Sequence, residues 1–208
     1  VSSTFPSGLT SSYAYDSQDR LLTETAPPVT DRVTGAVHTK MTSYTYDADD
    51  KVLTTTISDA TGGDPARATT DTYNPYGELA SAKDPLGNTT SYTYDALGHR
   101  ITQTSPAAVT TAYTYDDAGN LLTTTLQGYT GNPSNPSPPA NLVLESRAYD
   151  PAGRLASVTN VKGTQTDYTY YGNNQLASSY VVGSTGPQSV NTYGYDAADN
   201  RTTQTAPG

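Results

Sequence analysis

"SYTYDALGHR", residues 91–100, is the stretch from which the fold can be read. Two tyrosines stand two apart, an aspartate follows at once, and a glycine comes three residues later. The phrase returns as "AYTYDDAGN" at 112–120 and as "TYGYDAADN" at 192–200. Aligned on the second tyrosine it recurs at Tyr15, Tyr46, Tyr73, Tyr94, Tyr115, Tyr149, Tyr170 and Tyr195, with spacings of 31, 27, 21, 21, 34, 21 and 25 residues. The basic period is therefore 21, and the longer spacings add 10, 6, 13 or 4 residues. A constant unit with variable insertions is the signature of a repeat array.

Three residues after the aspartate column stand Asp19, Asp50, Gly77, Gly98, Gly119, Gly153, Asn174 and Asp199. These residue types tolerate a left-handed backbone, since glycine lacks Cβ and Asn or Asp can bond locally. The residue opening each phrase is Asp16, Asp47, Asn74, Asp95, Asp116, Asp150, Tyr171 or Asp196. Asp or Asn there suits the first place of a type I turn, where its side chain caps backbone N–H groups two residues on. A type I turn followed by a left-handed residue joins two strands of a hairpin. The phrase thus predicts strand, corner, strand.

The incoming strand carries a second tyrosine two residues earlier in six units: Tyr13, Tyr44, Tyr92, Tyr113, Tyr168 and Tyr193. Residues two apart on a strand share a face. Apolar residues follow the turn, in pairs at Leu21 and Leu22, Val52 and Leu53, and Leu121 and Leu122, and these read as core. Arg100 and Arg201 take that slot in two units, and the sequence leaves open which face they use. A lone hairpin is marginal in water, so the hairpins are expected to pair side by side into one continuous curved or spiral sheet with tyrosines in rows.

Composition supports an all-β chain. The 208 residues include 18 Tyr and much Thr, one Phe, one Met, no Trp and no Cys, and Thr and Tyr favour strands. The net charge of −9 disfavours nucleic acid, whose binding rests on cations neutralising phosphates. Absence of Cys removes disulfides and thiolate metal sites. No apolar run approaches the roughly 20 residues of a membrane helix, so membrane insertion is not expected. The start lacks the basic and apolar stretches of a signal peptide, and the chain reads as a segment of something longer. Insertions such as "TAPPVTDRVTGAV" and "DATGGDPA" read as loops. The proline-rich stretch at 127–141, with Pro133, Pro136, Pro138 and Pro139, is expected to be a loop rather than ordinary sheet.

At residues 84–104, "DPLGNTTSYTYDALGHRITQT", and 149–159, "YDPAGRLASVT", the chain resembles the YD repeats of RHS proteins. The shared pattern is Tyr-Asp-x-x-Gly-Arg/Asn-Leu followed by a Thr-rich strand, and the resemblance runs from about Tyr13 to Thr205. It implies that the hairpins wind into a hollow shell. Bacterial RHS and toxin-complex members enclose a C-terminal toxin in such a shell, and animal teneurins use a similar one in adhesion. The bacterial kind fits better, given no Cys and low complexity. The segment at which the bacterial shells cleave themselves is not found after Asp196, so neither protease nor toxin carries over.

The repeat core expected from this reading is Tyr13, Tyr15, Asp16, Tyr44, Tyr46, Asp47, Tyr73, Gly77, Tyr92, Tyr94, Asp95, Gly98, Tyr113, Tyr115, Asp116, Gly119, Tyr149, Asp150, Gly153, Tyr168, Tyr170, Tyr193, Tyr195 and Asp196. No catalytic, cofactor-binding or metal-binding residue is assigned. His38 and His99 read as isolated surface groups, with no polar pocket around either. Stacked aspartates, "DADD" at 47–50 above all, could form a Ca²⁺ ladder, but turn capping already explains one per turn. The reading is a single array of about eight repeats, a non-enzymatic scaffold of a secreted or surface-exposed bacterial protein. Its expected partners are other YD repeats, in the same or neighbouring chains, and an enclosed toxin domain. The alternative is a glycan-binding adhesin that uses exposed tyrosines.

Overall fold

A computed structural model describes residues 1–4, 8–183 and 186–206. Every regular element among them is a β-strand. The chain divides into two units, Val1–Tyr92 and Thr93–Gly208.

The first unit contains β1 (Ser2–Thr4), β2 (Thr10–Tyr15), β3 (Leu21–Thr25), β4 (Val29–Thr30), β5 (Val37–His38), β6 (Lys40–Tyr46), β7 (Val52–Asp59), β8 (Arg67–Tyr73), β9 (Leu79–Lys83) and β10 (Thr89–Tyr94), whose last two residues fall in the second unit. Apart from β4 and β5, each strand pairs antiparallel with the next along the chain. β4 and β5 form a two-stranded ribbon of their own inside the first insertion, where a plain loop is expected from the sequence.

The second unit holds β11 (Arg100–Thr104), β12 (Thr110–Tyr115), β13 (Leu121–Asn132), β14 (Asn135–Tyr149), β15 (Leu155–Asn160), β16 (Gln165–Tyr170), β17 (Leu176–Gly183), β18 (Gly186–Tyr195) and β19 (Arg201–Thr205). They too pair antiparallel in chain order. The expected loop at 127–141 is corrected here. β13 and β14 continue through it as a hairpin that ends where Asn132 faces Asn135. The prolines leave their mark on register rather than on pairing. Proline cannot donate to a ladder, and the register shifts between Tyr129 and Gly131, opposite Pro138 and Pro139.

All eight corner residues have positive φ, from 62° at Asp19 to 85° at Gly98. In the 21-residue units the sequence showed one turn of two. Gly87, Ala108 and Gly163 also have positive φ, of 89°, 59° and 78°, and close turns opened by Asp84, Ser105 and Asn160. The strand leaving one corner therefore reverses again before the next tyrosine pair. A 21-residue period holds two turns and two strands.

The faces alternate as the pleat requires. In β10, "TTSYTY", exposed and half-buried residues alternate, with both tyrosines on the half-buried side. Threonines on the other face meet across the hairpin: Thr45 and Thr54 at 2.7 Å, Thr93 and Thr102 at 2.6 Å, Thr114 and Thr123 at 2.7 Å. The expectation of a leucine core is corrected. Among the described residues no hydrophobic residue is buried, and the residues buried whole are Ser11, Thr42 and Ser179. Leu21, Leu22, Val52, Leu53, Leu121 and Leu122 are half-buried. Strands pack against their ladder neighbours, so side chains are covered from the flanks.

Candidate functional site

With no buried apolar core among the described residues, the recurring contacts at the corners are the candidate site. At 116–120 the Asp116 N–H donates to the Asn120 carbonyl at 3.0 Å and the Gly119 N–H to the Asp116 carbonyl at 3.0 Å. Asp116 Oδ1 accepts the N–H groups of Ala118 at 3.0 Å and Asn120 at 2.8 Å. Oδ2 accepts the Asn120 side-chain amide at 2.9 Å. The same carboxylate pattern recurs at Asp16 with Arg20, Asp95 with His99, Asp150 with Arg154 and Asp196 with Asn200. "DADD" is built likewise, with Asp47 Oδ1 taking the Asp49 and Lys51 N–H groups.

The departures conserve the chemistry. Where Asn74 replaces the aspartate, its amide donates to Glu78 at 2.7 Å, so donor and acceptor trade places. Where Tyr171 replaces it, the turn still closes through its own N–H to the Gln175 carbonyl at 2.8 Å. The freed ring donates its hydroxyl to the Tyr193 carbonyl at 2.9 Å and meets Tyr195 edge-on at 6.3 Å.

In six phrases the second tyrosine reaches back one repeat. The Tyr46 hydroxyl donates to the Leu21 carbonyl at 2.7 Å, Tyr73 to Val52 at 3.0 Å, Tyr115 to Arg100 at 2.9 Å, Tyr149 to Leu121 at 3.0 Å, Tyr170 to Leu155 at 2.9 Å and Tyr195 to Leu176 at 3.1 Å. The ladder also shifts register at this tyrosine, between Thr114 and Tyr115 for example, as the left-handed corner demands. Burial raises the phenol pKa values of Tyr73, Tyr115 and Tyr170. Arg100 and Arg201, whose faces the sequence leaves open, lie over Tyr113 at 5.1 Å and Tyr193 at 5.7 Å.

The residue after the corner has no role in the sequence reading, although it stands in the quoted pattern. In five units it reaches into the next repeat. Arg20 Nε donates to Asp16 at 2.8 Å in its own turn, while Nη1 donates to the Asp47 carbonyl at 3.0 Å and to Asp50 at 2.7 Å in the next. Its guanidinium lies 4.9 Å from the Tyr46 ring centre. Arg154 repeats this with Asp150, Tyr171, Asn174 and the Tyr170 ring at 4.7 Å. Gln175 donates to Asp199 at 2.8 Å, Lys51 lies over Tyr73 at 5.8 Å, and His99 stacks on Tyr115 at 4.9 Å.

The clasp accounts for the choice at five of the corners. Asp50, Asn174 and Asp199 accept a hydrogen bond from the preceding clasp residue, which offsets the cost of a side chain at positive φ. At two corners the clasp side chain occupies the place of a Cβ, so it must shift for any residue but glycine. A Cβ at Gly77 would stand 2.6 Å from Lys51 Nζ, and one at Gly119 would stand 2.8 Å from His99 Nε2. A signal for the clasp was present in the sequence, since Arg, Asn, His, Gln, Glu and Lys alone fill that column.

His99 thus belongs to the clasp. His38 is a different case. A polar cleft of about 340 Å³ forms beside it, lined by residues including Lys40, Asp59, Asp64 and Arg67, where none is expected from the sequence.

Residues 73–110 match the family model described as RHS Repeat. This stretch contains the motif at 84–104 quoted above. Among solved structures, the crystal structure of TcdB2-TccC3-TEV matches at 16% identity with a TM-score of 0.56, covering 95% of this chain and 11% of that one. At that identity the likeness is one of fold. The Photorhabdus luminescens Tc holotoxin pore is similar at 17% identity and a TM-score of 0.47, covering 99% of this chain and 14% of that one. This chain spans a small part of the length of those it resembles. No curated protein matches it.

Proposed function

We propose that residues 1–208 are a single array of YD repeats acting as a non-catalytic wall within a longer, secreted or surface-exposed bacterial protein. The clasp carries the reading. Arg20 and Arg154 each bind their own turn and the next one, so the function of most patterned residues is to hold repeat to repeat. Tyr94 and Asp95 to Tyr115 and Asp116 form one stitch of this array, and the other tyrosine–corner units repeat it. An all-β wall with a half-buried tyrosine face suits enclosure of a toxin domain, with other YD repeats as its lateral partners.

Electron microscopy of the parent protein tests this. A hollow particle whose C-terminal domain resists protease supports enclosure. A solid rod or an open fibre refutes enclosure and leaves the repeat as an assembly unit. A glycan array separates the adhesin reading: sugar-dependent binding lost on Tyr171→Ala would replace the wall as the primary function.

A further inference from the structure

Two of the insertions that break the 21-residue period meet on one side of the first unit. The ribbon β4–β5 brings His38, the end of β7 brings Asp59 and the segment after it brings Asp64. They are tied by the Ala60 N–H donating to the Thr39 carbonyl at 2.7 Å and the Thr61 hydroxyl to the Val37 carbonyl at 2.8 Å. No repeat contact explains what these groups do together.

We propose that His38, Asp59 and Asp64 bind a first-row divalent cation, with Zn²⁺ as the best fit. His38 Nδ1 lies 2.8 Å from Asp59 Oδ2 and 3.8 Å from Asp64 Oδ2. One ligand atom from each of the three lies within 4.8 Å of the others. Two ligands bound tetrahedrally at about 2.1 Å stand about 3.4 Å apart, and the observed separations bracket that value. One imidazole and two carboxylates suit zinc better than calcium, which takes six to eight oxygens.

Asp59 is held as a ligand should be. Its side chain is 5% exposed. Oδ1 accepts the Thr39 N–H at 2.8 Å, the Thr61 N–H at 3.1 Å and the Thr61 hydroxyl at 2.6 Å. Those bonds orient the carboxylate and leave Oδ2 turned toward His38. Outer bonds of this kind fix metal ligands elsewhere. Asp64 is 72% exposed and closes the site by a small swing. Three protein ligands leave a position for water. Lys40 and Arg67 line the same cleft and offset part of the carboxylate charge, so the affinity is micromolar rather than nanomolar.

The test is calorimetric titration of Zn²⁺ into the metal-free 208-residue chain. One ion binds per chain. His38→Ala weakens binding at least about 50-fold and Asp64→Asn at least about tenfold, the range by which ligand-shell changes act. His99→Asn, which keeps a clasp side chain of the kind found at Asn120, leaves binding unchanged. Asp59→Ala also removes the loop's main acceptor and can unfold it, but exposed Asp64 keeps the proposal open to refutation. Absence of stoichiometric binding by the folded chain at millimolar Zn²⁺ overturns it, as does binding that survives both His38→Ala and Asp64→Asn.

Discussion

Replacing Gly153 by alanine isolates the backbone cost of a corner. Gly153 has φ +75° and no heavy atom within 4 Å of the place its Cβ would take, so no clash contributes. A left-handed L-residue costs about 1–2 kcal/mol. Restricting the unfolded chain returns about 0.4–1 kcal/mol, which leaves a net loss of about 1 kcal/mol. Ala108 already sits at φ 59°, so Ala108→Gly runs the same ledger backward and gains about 0.5–1 kcal/mol. Gly119→Ala adds a contact 2.8 Å from His99 Nε2 and loses more than Gly153→Ala. All three positions lie in the second unit, so urea midpoints within one background rank them. Ala108→Gly is the most stable, followed by the unaltered chain, Gly153→Ala and Gly119→Ala. A Gly153→Ala chain as stable as its parent, together with a destabilised Ala108→Gly chain, refutes the left-handed corner.

Three further outcomes follow from the clasp. Tyr115→Phe keeps the ring on His99 and loses the bond to the Arg100 carbonyl, costing about 1 kcal/mol in denaturant titration; Tyr115→Ala costs at least twice that. A double-mutant cycle between Arg154 and Asn174, whose groups meet at 3.0 Å, gives a coupling of at least about 0.5 kcal/mol, and a value of zero removes the clasp. Stability also falls at both ends of the pH scale. Asp116, Asp150 and Asp196 are held below the usual carboxylate range, chiefly by side-chain N–H donors at Asn120, Arg154 and Asn200. Their contribution is present above the ordinary value of 3.8 and is lost as pH falls through the lower folded values. Burial holds the Tyr73, Tyr115 and Tyr170 phenols above 10.0, so their contribution is present below that value and is lost as pH rises through the folded ones. Circular dichroism melts across pH detect both edges, and a melting temperature flat through either window contradicts the assignment there.

The corners were legible because φ > 0 restricts residue choice, and a column of Gly, Asn and Asp records that restriction directly. The turns at Asp84, Ser105 and Asn160 were missed because Ala108 breaks the column and the longer units replace that turn with insertions. The hairpin at 121–149 was missed because proline density argues against a ladder, while Pro136 itself stands opposite Gly131 and the register shifts past Pro138 and Pro139. The leucines misled for a different reason. Pairs such as Leu121 and Leu122 signal burial in ordinary domains, but flank packing in these sheets covers them only halfway. The clasp column was visible and unassigned, because Arg20, Glu78, His99 and Asn120 share no charge and become equivalent only once their hydrogen bonds are seen. His38, Asp59 and Asp64 carry no repeating signal at all, since insertions have no second copy against which to be compared.

Amide hydrogen exchange at 115–120 and 149–154, resolved by residue, tests the corner-and-clasp account most directly. The N–H groups of Asp116, Gly119 and Asn120 exchange slowly together while Asp117 exchanges freely, and Asp150, Gly153 and Arg154 are protected likewise, with Pro151, which has no N–H, in the place of Asp117. Uniformly fast exchange across both corners, or unbroken protection through Asp117, contradicts it.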